Sequence, residues 1–157
     1  MKITLLVIGK NTDARIGALI DDYAARLRHY TPFEMVVIPE LRNTKSLSED
    51  QQKAQEADLI RKQLQAGDHL VLLDEHGAER TSKAFAVWLQ KRMAAGARRL
   101  VFVVGGPYGF APEIHQMADE EISLSLMTFS HQMVRAFFVE QLYRAHTILR
   151  GEPYHHE

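Results

Sequence analysis

The chain has no cysteine, which removes disulfides and thiolate metal sites from consideration. It has no excess of either charge: 19 basic residues stand against 20 acidic ones. A generic, strongly basic nucleic-acid coat is therefore excluded. Binding to RNA would need a local patch, or recognition of shape and one base. Long hydrophobic runs are missing too. The longest, residues 3–8 and 100–104, fall far short of the roughly 20 residues that span a bilayer, so no membrane contact is expected. The opening residues lack the length and cleavage pattern of a signal peptide, which points to a cytoplasmic protein. No internal repeat, low-complexity tract or linker divides the chain. At 157 residues the expectation is a single domain over 1–157, long enough to bury a real core.

What is present is an alternation. Apolar runs at Lys2–Ile8, Phe33–Ile38, 69–73 and 100–104 read as buried strands. Helical spacing fills the gaps. One helix runs from Asp13 to about His29, through Ile16, Leu19, Ile20, Tyr23 and Leu27. Ser48 and Gln51 have capping-box spacing and open a second helix, to about Gln65. Thr81 or Ser82 caps a third, through Phe85, Trp88, Leu89 and Met93, ended by Gly96. Residues 112–118 form a short helix with Pro112 in its first turn. Residues 40–47 are polar and mixed, a loop. Strands that are nearly continuous apolar runs, alternating with helices, predict an α/β fold: a mostly parallel sheet with helices on both faces.

The stretch 121–150 organises the rest. Ile122, Leu124 and Leu126 alternate with Ser123 and Ser125, which predicts a short strand. Residues 127–130 bend, with Ser130 as N-cap, and 131–150 contain no Gly or Pro and turn helical. Val134, Phe137, Phe138, Leu142, Ala145, Ile148 and Leu149 make one apolar face; Arg135, Val139, Tyr143 and His146 make a second strip. One face can cover the sheet, and the other calls for a further partner, which predicts a homodimer.

In an open α/β sheet, ligands bind at the carboxyl ends of the strands. Three loops leave such ends here: 73–78, 105–110 and 127–131. Gly105-Gly106-Pro107-Tyr108-Gly109 is the sharpest. It is not the dinucleotide fingerprint, since Pro107 and Phe110 stand where that pattern needs glycine, and it is not a P-loop. His29, His69, His76 and His115 are scattered singly, with no HExxH motif, so no metal is expected. No nucleophile elbow appears either.

The runs VFVVGGPYG (101–109), SLSLMTFSHQMVR (123–135), EQLYRA (140–145) and the closing PYHHE, with the opening MKITLLVIGK, resemble one family over essentially the whole length. It is the ribosomal RNA large subunit methyltransferase H family of the SPOUT superfamily. The resemblance implies transfer of a methyl group from S-adenosylmethionine to N3 of a pseudouridine in 23S rRNA of the assembled ribosome. It also implies a homodimer and a deep trefoil knot in the C-terminal half, which the general rule of unknotted chains argues against. Carried over by motif, the cofactor residues are Leu73, Gly105, Leu124, Ser125, Leu126, Met127, Thr128 and Phe129. The catalytic end would comprise Arg135 and His131 beside the methyl donor, with Tyr154 and His155 closing over the target and His155 accepting its proton. Arg144 either binds phosphate or braces Glu140 at i, i+4. Two rivals stand beside this: a nucleotide-binding α/β oxidoreductase, and a non-enzymatic ribosome-binding factor.

Overall fold

A computed structural model describes residues 1–156; Glu157, the last residue of the PYHHE tail, lies outside the described residues. The strands are β1 (Lys2–Ile8), β2 (Phe33–Ile38), β3 (Asp68–Glu79), β4 (Arg99–Val104) and β5 (Glu120–Ser123). The helices are α1 (Ala14–Leu27), α2 (Glu49–Gln63), α3 (Ser82–Ala94), α4 (Pro112–Met117) and α5 (Met133–Leu149). All recorded strand pairs are parallel, in the order β2-β1-β4-β3-β5.

Each central strand is apolar on both faces because both faces are covered. Leu5, Val7 and Phe102 face α1, α3 and α5 through Ile20, Leu27, Phe85, Leu89, Phe138 and Leu142. Their neighbours Leu6, Ile8 and Val103 face α2 and α4 through Ala57, Ile60 and Ile114. Two of the caps read from the sequence are present, while the last helix has Gln132 rather than Ser130 at its N-cap position. Ser48 and Gln51 form the reciprocal capping box on α2, and the Thr81 hydroxyl accepts from the Ala84 N–H at the start of α3.

Three boundaries differ from expectation. The strand predicted through Leu126 stops at Ser123. The Ser123 hydroxyl donates to the Ser125 carbonyl, and the Ser125 hydroxyl accepts from the Met127 N–H; serine side chains thus take over backbone partners that a strand ladder would use. In the second case, the predicted loop after Leu73 is an interruption inside β3. Pairing with β5 jumps from Leu73–Ile122 to Ala78–Ile122, so residues 74–77 bulge out and the strand resumes. Gly77 permits this: a Cβ there would stand 2.6 Å from the Glu121 carbonyl carbon and the Ile122 nitrogen. The last helix begins two residues late, at Met133, whose N–H donates to the Ser130 hydroxyl.

The two faces assigned to α5 also need correction. Of the expected second strip, Arg135, Val139 and His146 are buried inside the same chain and Tyr143 is half-buried, because α5 lies across both α1 and α3. Phe137, expected to face the core, is 44% exposed.

Candidate active site

The carboxyl ends of β3, β4 and β5 converge on a cavity of about 710 Å³. Three stretches wall it: 73–76 from the bulge in β3, 104–110 from the end of β4, and much of 122–131 after β5. These are the three strand ends singled out from the sequence. Of the predicted cofactor residues, Leu73, Gly105, Leu124, Ser125, Met127, Thr128 and Phe129 all line the cavity. Leu126 does not; it is 76% exposed and turns outward.

The glycine turn is held from behind. Gly106 directs its Cβ position onto the Glu56 carboxyl, 2.5 Å away, and a Cβ on Gly105 would come 3.2 Å from the Phe110 ring. Without side chains there, the turn lies flat against α2 and leaves its backbone N–H and C=O groups as the cavity wall. Glu56 is itself buried, with Oε1 unpartnered among the described residues. Burial, with Glu40 nearby, holds its carboxyl above the usual range, against the hydrogen bond from Gln52 that lowers it. Lys53, one turn earlier on α2, also lines the cavity. Lys53 was not legible in the sequence, because only the packing of α2 behind the glycine turn brings it there.

His131 lines the cavity. Arg135 does not line the cavity; it is 1% exposed. Its guanidinium donates to the Ile8 carbonyl at 2.8 Å, the Asn11 side chain at 3.1 Å and the His131 carbonyl at 3.1 Å. Burial lowers its pKa from the usual arginine value, partly offset by Glu40. Arg135 therefore ties the segment carrying His131 to the end of β1. The sequence could not show this, since an arginine in a helical strip reads equally as a ligand contact or a tether.

Tyr154 and His155 do not line this cavity. They sit on α5 and α1. The Tyr154 hydroxyl donates to Glu140 Oε1 at 2.8 Å and lies 3.3 Å from the Tyr23 hydroxyl. Burial, then hydrogen bonding with Tyr23 and Glu140, pushes its pKa up. Arg144 does brace Glu140, with Nη2 at 2.6 Å from Oε1, and its Nη1 lies 3.1 Å from His155 Nδ1. Within one chain, then, the tail pair and the cavity are separate.

The fold also gathers a group that spacing did not reveal. Asp74, His115 and Glu121 place one ligand-type atom each within 4.8 Å of one another. Internal hydrogen bonds already engage them: His115 Nδ1 lies 2.7 Å from Glu121, and the His76 N–H donates to Asp74 at 2.9 Å.

Residues 1–155 match the family described as "Predicted SPOUT methyltransferase". The chain belongs to the SPOUT methyltransferase family. It is 59% identical to the "Ribosomal RNA large subunit methyltransferase H" of Parabacteroides distasonis and 57% identical to that of Bacteroides thetaiotaomicron, each over 157 residues and 100% of both chains. Among solved structures it is similar to a "Probable Methyltransferase from Bordetella pertussis Tohama I", with a TM-score of 0.53, 10% identity and coverage of 91% of this chain and 95% of that one. At that identity the likeness speaks for the fold alone. Membership in the SPOUT methyltransferases sets aside the oxidoreductase reading, in keeping with Gly9-Lys10-Asn11, where a dinucleotide fingerprint would have to begin.

Proposed function

We propose that this chain transfers a methyl group from S-adenosylmethionine to N3 of a pseudouridine in 23S rRNA of the assembled ribosome, acting in the cytoplasm as a homodimer. The observation that carries this reading is full-length identity of 59% to a relative named for methylation of large-subunit ribosomal RNA. A chain so similar from end to end keeps the cavity and the tail together.

Bound in the cavity, the cofactor supplies an electrophilic methyl group on a sulfonium. The chain's residues do the rest. Gly105 and Gly106 present backbone, Leu73, Leu124 and Phe129 supply apolar wall, and Ser125, Met127 and Thr128 carry the segment that closes it. His131 stands at the cavity's edge, its carbonyl fixed by Arg135. The uracil-type N3–H has a pKa well above neutrality, so the proton leaves as the methyl arrives. Holding donor and acceptor in line can supply roughly 7–11 kcal/mol in ideal cases.

A second copy completes the site in this reading. Leu126, Met127, Phe129, Met133 and Phe137 form an exposed apolar surface, and Phe129 and Phe137 lie together with ring centroids 5.1 Å apart. Covering it with a partner would bring that partner's Tyr154–His155 segment over the cavity and join two sets of basic side chains, including Arg15, Arg26, Arg28, Arg42 and Lys45, into one RNA surface. The reading also includes the trefoil knot that likeness to the SPOUT methyltransferases implies.

The test is methyl transfer from labelled S-adenosylmethionine to assembled ribosomes, with the product base identified by mass spectrometry. Label at N3 of one pseudouridine is the expected result. Ribosome binding without transfer would favour the non-enzymatic factor, and transfer only to free RNA would remove the assembled ribosome as substrate.

A further inference from the structure

The contact between Arg144 and His155 bears on how the proposed reaction handles its proton. A guanidinium carries only N–H donors and stays protonated in proteins. A neutral imidazole has one donor nitrogen and one acceptor nitrogen, and an imidazolium has two donors. Arg144 Nη1 lies 3.1 Å from His155 Nδ1. For this to be a hydrogen bond, Nδ1 must offer its lone pair, and the ring's one proton sits on Nε2.

The guanidinium is not free to turn away. Its Nη2 donates to Glu140 Oε1 at 2.6 Å, and its plane stands 4.8 Å over the Tyr154 ring. Tyr154 is in turn anchored on Glu140 and packed edge-on against Tyr143, centroids 4.7 Å apart. Two neighbours along the chain, Tyr154 and His155, are thus addressed by one arginine that is itself clamped by α5.

We infer that Arg144 is a positioning residue that fixes His155 as an Nε2–H donor, so that the tail imidazole donates a hydrogen bond to a carbonyl oxygen of the target base rather than accepting its proton. This rests on the reading under Proposed function. N3 of the target lies between two carbonyl groups. As N3 loses its proton, negative charge spreads onto those oxygens, and a donor aimed at one of them favours the transition state. The atoms balance simply: N3 gains the methyl carbon, the sulfur–carbon bond breaks with its electron pair remaining on sulfur, and the N3 proton goes to water. This reverses the role expected of His155 from the sequence, where Arg144 was not yet seen against Nδ1.

The decisive measurement is spectroscopic. Full-length protein labelled with ¹⁵N-histidine is observed above neutral pH, where an ordinary imidazole is uncharged, and His155 is assigned from the signals missing in His155→Gln. The expected result is an unprotonated Nδ1 and a protonated Nε2. Arg144→Ala should let the two nitrogens shift toward a mixture, and Arg144→Lys, which keeps a cationic donor, should restore the wild-type signature. A protonated Nδ1 in wild type, or no response to Arg144→Ala, overturns the inference. Kinetics on ribosomes supply a second readout. His155→Ala should lose about 100-fold in kcat, the usual loss for one such donor. His155→Gln, whose amide donates but is no base, should stay within about tenfold of wild type. Equal losses in both variants would restore His155 as the base and sink the inference. If wild type transfers no methyl group to ribosomes, the functional reading falls, and the nitrogen signals still decide the Arg144–His155 pairing.

Discussion

Arg135 holds three acceptors that nothing else in its surroundings is shown to satisfy: the carbonyls of Ile8 and His131 and the side chain of Asn11. Truncating it leaves the buried Ile8 carbonyl without this donor, a costly unmet acceptor, and removes the part-buried bonds to Asn11 and His131. Arg135→Ala should lose about 3–5 kcal/mol of stability by chemical denaturation, with Arg135→Lys recovering part. A variant that melts like wild type yet no longer binds cofactor would return Arg135 to the catalytic list. His146 is the other buried polar residue of this helix. It stacks on Tyr30, centroids 5.6 Å apart, and burial, aided by the nearby Arg150, lowers its pKa to about 4. An unfolded histidine takes its proton near pH 6.5. Between those values the unfolded chain holds the extra proton, so the stabilisation is complete above pH 6.5 and is lost as pH falls toward 4. The loss amounts to about 3 kcal/mol. His146→Phe keeps an aromatic ring against Tyr30 and should flatten that part of the pH–stability curve. An unchanged slope would remove His146 as its source.

At the scale of elements, the bulge in β3 shapes the cavity. Residues 74–76 reach its wall because the strand leaves β5 after Leu73 and rejoins it at Ala78. Gly77 is the residue on which this turns, since a methyl group there meets β5 backbone rather than a side chain that could swing aside. Gly77→Ala should cost about 2–4 kcal/mol, in the range of overpacking and backbone clashes, and should speed hydrogen exchange in β5. Gly17→Ala is the matched control. It lies inside α1 with open space around its Cβ position, so the same change should stabilise by about 1 kcal/mol. If both substitutions behave alike, the close approach at Gly77 is not what holds the bulge. This bulge was hidden in the sequence: Asp74-Glu75-His76-Gly77 has loop composition, and pairing across a gap leaves no periodic trace. The helix caps at Ser48 and Thr81 were legible because a cap is local chemistry, settled within four residues.

For the molecule as a whole, the open question in one chain is what covers the apolar surface beside the cavity. Met127 is 77% exposed and Phe137 44% exposed, an arrangement that water alone does not favour. Phe137→Asp should leave the protomer folded and convert a dimer to monomers in sedimentation velocity, with methyl transfer lost in parallel. Wild-type protein that sediments as a monomer would contradict the dimer. The residues from which the sequence argued for a partner are not the ones the fold leaves exposed. Val139 and Tyr143 were expected to demand a partner, yet Val139 is buried within the chain and Tyr143 packs against Tyr23, Tyr30 and Tyr154. Helical periodicity gives the angle between side chains, and the identity of the neighbour at each angle comes from elsewhere in the chain.

By itself the sequence determined the α/β alternation, the buried strands, the caps and the three strand ends that wall the cavity. Each follows from chemistry within a few residues or from apolar runs that only a doubly covered sheet can bury. The tertiary structure decided the strand order, the rejoining of β3 with β5, the burial of Arg135 and the separation of Tyr154 and His155 from the cavity. Those depend on which distant segments share space: Ile8 and Arg135 are 127 positions apart and bonded at 2.8 Å, a pairing set by packing that neither residue's neighbours in sequence encode.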